Sequence, residues 1–415
     1  MVKAVFYLGR ALAAFCLTAP AWAVPTPQGV PFRASSCTNC RQEEPSVAGA
    51  ASGAYLVVWE GSTTADLRGI NGRLFTNAGA PQAADFAVAK KLAPDQYDAA
   101  VTRDSKGNYI AVWSQVEAGN SEIMAQRFKP NGTVLGAAFK VNQDTAGTPT
   151  IPADFNPAVA RTNDGGFVVV WMNLLPSSPT FPGTNPQVLA RRFNAAGAPL
   201  GSQLKLNTGL VHGDRPDVCV DSVGQTVAVW TTVDAFRPFQ ANYKGISYRR
   251  LTAAGALIGT TETVVAQPVA NSARGAVSCG SGGTYVVVWH SDQAPAADRT
   301  DILGQRFSRL GRKVGPVFRV NSTTTRDQKN PSISHDPQGR FIVVWQSDLD
   351  GTRGIFGREF TAAGAAVGTD FAVLSEKDDS TPPINPDVTH VGTAGNFVVV
   401  WQNGTEGTFG RRFTP

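Results

Sequence analysis

The chain has 415 residues, five cysteines and a formal net charge of +5 at neutral pH. Removal of a predicted N-terminal signal takes away Lys3 and Arg10 and leaves +3, which is too small and too dispersed to indicate a nucleic-acid or anionic-membrane partner. The four cysteines that remain permit disulfides but exclude a disulfide-built scaffold.

Residues 1–23 predict a secretory signal peptide. Lys3 and Arg10 precede the apolar stretch 11–17, and Ala21-Trp22-Ala23 has the small residues of a cleavage site, so that Val24 begins the mature chain. No later stretch has the ~20 apolar residues of a membrane helix. We therefore expect a secreted or periplasmic monomer without a transmembrane segment.

Seven short apolar segments that end in tryptophan recur every 54 to 59 residues. The tryptophans are Trp59, Trp113, Trp171, Trp230, Trp289, Trp345 and Trp401, and a glycine stands six residues before each. Runs such as "VVVW" are typical of strands covered on both faces, and the glycine suits a tight hairpin turn. Seven identical columns indicate packing between repeats more readily than seven ligand sites.

Each tryptophan strand is flanked by further predicted strands. One lies before the glycine and is expected to begin at a proline in most repeats, as at Pro45. A third ends in a pattern such as "AQRF", and a fourth follows the next turn glycine. Four antiparallel strands per repeat predict a single all-β domain, a seven-bladed β-propeller over residues 24–415. The blades are expected at 45–98, 99–156, 157–215, 216–274, 275–330, 331–385, and 386–415 plus 24–44.

The last repeat lacks a fourth strand, and the N-terminus supplies one. Residues 31–45 align without a gap on residues 317–331, with Phe32 matching Phe318 and Pro45 matching Pro331. We therefore expect the N-terminal strand to complete the C-terminal blade, which would close the ring and remove exposed sheet edges.

The repeat unit G-x-[FY]-V-V-V-W followed by R-F-x-x-x-G resembles repeats of secreted and surface proteins of bacteria, which are largely uncharacterised. The similarity covers residues 29 to 415, and it implies a β-propeller and no particular chemistry. The units lack the Trp-Asp ending of WD40 repeats, and none carries a sialidase Asp-box. The function must therefore be inferred from particular groups of residues and not from the fold.

Two long loops follow the tryptophans of blades three and four, at 172–187 and 231–245. The second combines Phe236, Arg237, Phe239 and Tyr243, and aromatic platforms with a few polar partners suit a sugar face or a protein. The alternative is that these side chains fold back over the blades.

A second candidate set shares one column of the innermost strands, four residues after its start. Arg103, Arg161, His335 and His390 occupy this column and could present a small anion with partners inside the channel. Lining residues that are solvated or bonded to one another are the alternative.

No cofactor is predicted, and metal signals are weak. Asp348 and Asp350 before a glycine hint at calcium, but further oxygen ligands are missing, and we favour an ordinary acidic turn. A lone Cys37-x-x-Cys40 predicts a local disulfide. Whether Cys219 and Cys279 approach closely enough to bond is left open.

Two functions remain. We favour an exported, non-catalytic binding or adhesion protein that recognises a glycan or protein through its loop face. The alternative is a carbohydrate-active hydrolase or lyase with an active site at the channel mouth. Two titratable side chains meeting in one pocket would favour the enzyme.

Overall fold

The computed structural model describes residues 24–38, 40–61, 69–89, 95–117, 120–143, 153–175, 185–208, 212–233, 243–265, 274–291, 300–325, 327–349, 352–377, 383–404 and 406–415. These residues form seven four-stranded antiparallel blades in a ring, as predicted. The predicted signal peptide, residues 1–23, lies outside them.

Each blade runs from an inner strand at the channel to an outer strand at the rim, in chain order. Blades one to three comprise β2 (Gln42–Gly49), β3 (Tyr55–Gly61), β4 (Gly69–Phe75) and β5 (Phe86–Ala87); β6 (Gln96–Arg103), β7 (Tyr109–Glu117), β8 (Asn120–Phe128) and β9 (Phe139–Lys140); and β10 (Ala153–Arg161), β11 (Phe167–Leu175), β12 (Asn185–Phe193) and β13 (Leu204–Lys205). Blades four and five comprise β14 (His212–Val220), β15 (Thr226–Val233), β16 (Tyr243–Leu251) and β17 (Leu257–Val265); and β18 (Gly275–Cys279), β19 (Tyr285–Ser291), β20 (Asp301–Phe307) and β21 (Lys313–Arg319). Blades six and seven comprise β22 (Gln328–His335), β23 (Phe341–Leu349), β24 (Thr352–Phe360) and β25 (Ala366–Lys377); and β26 (Pro383–His390), β27 (Phe397–Asn403), β28 (Gly407–Thr414) and β1 (Thr26–Arg33). A short 3-10 turn, Ser281–Gly283, joins β18 to β19.

The tryptophan strands form the core because both of their faces are covered. All seven tryptophans are at most 2% exposed, and each lies in an apolar cluster shared with the preceding blade. Trp59, for example, packs with Val398 and Val400 of blade seven. The predicted packing role of this column is confirmed.

The glycine before each tryptophan strand occupies a conformation that only glycine adopts freely. All seven have φ between 79° and 92°, as in Gly53 (87°) and Gly107 (92°), where the inner strand turns back into the next strand. At Gly53 an added Cβ would also lie 2.2 Å from the Asn77 side chain. The predicted hairpin turns are therefore present.

The inner strands differ from the prediction at their prolines. Pro45 was expected to begin a strand, but β2 begins at Gln42, and its pairing with β3 shifts between Glu43 and Ser46. Equivalent shifts occur in five other blades, at a proline in four of them and at Ala99 in blade two. Proline has no N–H to donate to a ladder, so a bulge lets the strand continue through it.

The N-terminal strand completes blade seven, as predicted. β1 pairs antiparallel with β28, with Thr26 opposite Thr414 and Phe32 opposite Gly410. The sheet order is β1-β28-β27-β26, so the two ends of the described chain share one blade.

Two disulfides cross-link the ring. Cys37 is bonded to Cys40 in the segment between β1 and β2. Cys219 and Cys279, which the sequence left open, join the inner strands of blades four and five with Cα atoms 5.6 Å apart. None of the described residues belongs to a helix with the length and apolar character that a membrane crossing requires.

Candidate functional site

Seven residues ring one end of the central channel, each directly before the position aligned with Pro45 in its blade. The channel is a cavity of about 630 Å³ enclosed by the inner strands of all seven blades. We call these residues the mouth ring: Glu44, Asp98, Asn156, Arg215, Arg274, Asn330 and Asn385. The volume is within the range of sites that hold small molecules.

The backbone conformation of most of the mouth ring favours asparagine and aspartate, yet two of the residues that adopt it are neither. Six of the seven residues have φ between 44° and 54°, a left-handed region that asparagine and aspartate tolerate best. Glu44 (44°) and Arg215 (46°) hold it at a conformational cost of order 1–3 kcal/mol. Such strain at a cavity makes the two charged side chains candidates for a functional role.

The acidic side of the mouth ring belongs to blades one and two. The Glu44 and Asp98 carboxyls hydrogen-bond to each other. Asp98 Oδ2 also accepts from the Asn156 backbone N–H at 3.2 Å and from the Ser114 hydroxyl at 3.3 Å. Glu60, directly after Trp59, accepts from the Asp98 backbone N–H and therefore lies against the same pair.

Crowding of these carboxyls makes two of them titrate near neutrality. Burial, the Asp98 charge and the hydrogen bond to Asp98 raise the pKa of Glu44 to about 7, against the opposing effect of Arg274 and Arg215. Burial and the charges of Glu44 and Asp98 likewise raise the pKa of Glu60 to about 7. Groups with such values can give up and take protons at physiological pH.

The basic side of the mouth ring belongs to blades four and five, across the channel. Arg215 and Arg274 are exposed, and within the described part of the chain neither forms a salt bridge. The Arg274 backbone N–H donates to His290 Nδ1 at 3.4 Å, which ties the strand start to the fully buried His290. Two guanidinium groups are thus available to an anion that enters the mouth.

Two buried carboxyls lie one layer below the mouth ring and hold neighbouring blades together. Asp217 Oδ2 accepts from the Val277 backbone N–H at 2.8 Å, and Asp387 Oδ2 accepts from that of Val47 at 2.9 Å. Burial raises the pKa of Asp217 to about 6 and that of Asp387 above its usual range, and Arg274 opposes both rises. Their oxygens are occupied, so their role is structural.

The predicted column of Arg103, Arg161, His335 and His390 lies at the opposite end of the channel. Arg161 is exposed and lines the cavity. The Arg103 guanidinium instead donates to Gly107 O at 3.1 Å and stacks on Tyr109. No finding tests the predicted anion-binding role of these residues.

The two histidines of that column are packed between blades. The His335 and His390 backbone N–H groups each donate at 3.1 Å to a serine of the preceding blade, and their rings contact Phe341 and Phe397. Burial lowers the pKa of both histidines to about 3, so both are neutral at physiological pH.

Other predicted residues fall wholly or partly outside the described residues. Phe236, Arg237 and Phe239 lie there, and Tyr243 is described only through its backbone, which pairs with Val233. Asp350 also lies outside, while Asp348 forms a salt bridge with Arg353 at 3.3 Å. Among the described residues no three histidine, cysteine or acidic side chains gather as metal ligands, and the calcium prediction stays untested.

The mouth ring was not singled out from the sequence, although a signal for it exists. Its members stand directly before the residues aligned with Pro45, and this column reads Glu, Asp, Asn, Arg, Arg, Asn, Asn. Three repeats have asparagine in this column, two have an acidic residue and two have arginine. A position with a purely structural role would be expected to keep one type of residue. The sequence interpretation placed the residue before proline outside the strand and so passed over it.

Comparison with known proteins supports the fold and is silent on chemistry. No family model and no curated protein matches the chain. An ulvan lyase solved with -[GlcA(1-4)Rha3S]- bound is similar in structure, with a TM-score of 0.57 and 8% identity over 91% of this chain and 97% of that chain. A protein of unknown function from Dyadobacter fermentans has a TM-score of 0.51 and 9% identity over 92% and 97% of the two chains. At such identities the likeness concerns architecture: the chain is a seven-bladed β-propeller whose structural neighbours are β-propellers.

Proposed function

We propose that this chain is an exported protein that binds an acidic carbohydrate at the mouth ring. Arg215 and Arg274 pair with the carboxylate of a uronic-acid unit, and the amides and carboxyls around the rest of the ring bond to its hydroxyls. The observation that carries the proposal is the division of the mouth ring into a basic side and an acidic side.

The division of charge narrows the class of ligand. A neutral sugar would leave the guanidinium groups of Arg215 and Arg274 unpaired. A polyanion dense in phosphate would be repelled by the negative charge of the Glu44–Asp98 pair. An amine would find that pair partly neutralised by its shared proton. A sugar with one carboxylate and several hydroxyls satisfies both sides, because Asn156, Asn330 and Asn385 donate and accept.

This proposal keeps binding at the loop face and moves it from residues 231–245 to the mouth ring. The Asp98 backbone N–H donates to Glu60, the residue directly after Trp59. The mouth ring therefore lies at the end of the blades at which the tryptophan strands end.

Isothermal titration calorimetry with oligogalacturonate, oligoguluronate and a neutral dextran oligomer tests the proposal. We expect an acidic oligomer to bind and the neutral one to fail. Arg215→Gln and Arg274→Gln should each weaken binding about 10- to 100-fold, as expected for a lost charge-assisted hydrogen bond.

Two arginine variants complete the design. Arg312→Gln removes an exposed surface charge and should leave affinity unchanged. Arg161→Gln removes the arginine at the far end of the channel. Loss of binding in Arg161→Gln with retention in both mouth variants would refute the proposal and support the histidine-arginine column instead.

A further inference from the structure

We propose that the mouth ring is also a catalytic site, in which Glu44 and Asp98 cleave a uronic-acid-containing glycan by β-elimination. This inference rests on the proposed function, because Arg215 and Arg274 must first hold the uronate. It goes beyond that function because binding alone needs neither a proton donor nor a proton acceptor.

The distance between the two carboxyls decides between elimination and hydrolysis. Glycosidases place their two carboxyls ~5–5.5 Å apart when they retain and ~6.5–9.5 Å apart when they invert configuration. Glu44 and Asp98 hydrogen-bond directly to each other, so their oxygens lie within hydrogen-bond reach and closer than either of these separations. The pair therefore does not fit two-carboxylate hydrolysis.

Elimination from a uronate needs three groups, and the mouth ring holds all of them. Cations must neutralise the sugar carboxylate and stabilise the enolate that forms, a base must take the proton from C5, and an acid must protonate the leaving oxygen. Arg215 and Arg274 are the cations on one side of the mouth. Asp98 and Glu44 are the base and the acid on the other.

The step balances without any further reactant. The Asp98 carboxylate takes the C5 proton, the electron pair forms the C4=C5 double bond, and the bond from C4 to the glycosidic oxygen breaks. The leaving oxygen takes the proton of Glu44. Proton transfer from Asp98 to Glu44 along their hydrogen bond then restores the starting state.

Neighbouring contacts assign the two roles. The Asn156 N–H and the Ser114 hydroxyl both donate to Asp98 Oδ2, as suits the carboxylate that acts as acceptor. Glu44 is the more exposed of the two carboxyls at the channel mouth, where a leaving oxygen can reach it, and its raised pKa of about 7 suits a proton donor. Glu60 accepts from the Asp98 N–H and is a positioning residue.

Ultraviolet absorbance of the unsaturated uronate product, recorded with the polyuronate that the full chain binds, tests the inference. We expect absorbance to grow with time and one new reducing end to form for each double bond. Glu44→Gln and Asp98→Asn should each lower the rate at least 100-fold, as expected for loss of a general acid or base, while calorimetric affinity stays within a few-fold.

A carboxyl at the other end of blade three supplies the matched control. Asp164 pairs with Arg192 at 3.1 Å in the turn between β10 and β11, so Asp164→Asn should keep the wild-type rate. New reducing ends without absorbance, or full activity in Glu44→Gln, would overturn the inference. Binding of polyuronate with no product would overturn it and leave the proposed function standing, whereas binding of no polyuronate would remove both.

Discussion

The Phe32 ring lies 5.0 Å from the Phe75 ring, where the N-terminal strand of blade seven meets blade one. Four other joints between blades have the same contact, between a fourth-strand phenylalanine and the phenylalanine that ends the next blade's third strand: Phe86–Phe128, Phe139–Phe193, Phe318–Phe360 and Phe371–Phe413. Phe32 therefore occupies at the closing joint the place that Phe318 occupies within the chain. Closure uses the same packing as every ordinary joint of this type.

Truncation of Phe32 tests the closure. We expect Phe32→Ala to lower the free energy of unfolding by about 3 kcal/mol, because it removes a large side chain from the Tyr55–Phe75 stack. Urea denaturation measures the loss. Val30→Ala, on the same strand but 82% exposed, should cost less than about 0.5 kcal/mol. Equal stability of the two variants would show that the N-terminal strand does not hold the ring closed.

The two histidines packed between blades, His335 and His390, predict a specific loss of stability in acid. Burial lowers the pKa of His335 and His390 to about 3, below the ordinary 6.5, so the unfolded chain binds more protons than the folded one between these values. Their contribution is fully present above pH 6.5 and is lost as pH falls toward 3. From pH 7 to pH 5 this amounts to about 1–2 kcal/mol per histidine.

A double variant isolates this effect from the carboxyls, whose raised pKa values act in the opposite direction. We expect His335→Gln/His390→Gln to be less stable than the wild type at pH 7, and the difference to shrink at pH 5. Unfolding curves at both pH values give the two differences. A constant difference would mean that the histidines stay neutral or are already charged throughout this range.

Ligand affinity should also depend on pH through Glu44 and Glu60. Burial and neighbouring carboxyls raise the pKa of both to about 7, so both gain negative charge as pH rises from 6 to 8. An anionic sugar should therefore bind several-fold more weakly at pH 8 than at pH 6, measured by calorimetry at constant ionic strength. Glu44→Gln should reduce the dependence, and Asp164→Asn, which alters a carboxyl at the other end of blade three, should keep it. Tighter binding at pH 8 would contradict the proposed placement of the ligand.

The architecture could be predicted from the sequence because the same pattern of residues recurs in each repeat. The Trp59 column, the Gly53 column and the match of Phe32 to Phe318 each predict one feature of the ring, and all three are present. The inner-strand start was wrong by three residues at Pro45, because the bulge that accommodates a proline inside a strand leaves no separate signal.

The candidate site is harder to predict because it arises where different repeats differ. Glu44 and Arg215 occupy the same column in blades one and four, and only ring closure sets them across one channel. The hydrogen bond of Glu44 to Asp98 depends on the left-handed backbone at both positions, which the sequence does not reveal. Arg103, Arg161, His335 and His390 occupy equivalent positions on their strands, as expected. His335 and His390, however, are packed between neighbouring blades, where their backbone N–H groups donate to serines.

A crystal structure of the protein with a bound oligouronate tests the central claim most directly. We predict that a uronate carboxylate lies ~3 Å from the guanidinium of Arg215 or Arg274, with the sugar ring facing Glu44 and Asp98 across the mouth. A sugar bound elsewhere on the propeller, with the mouth ring unoccupied, would contradict it.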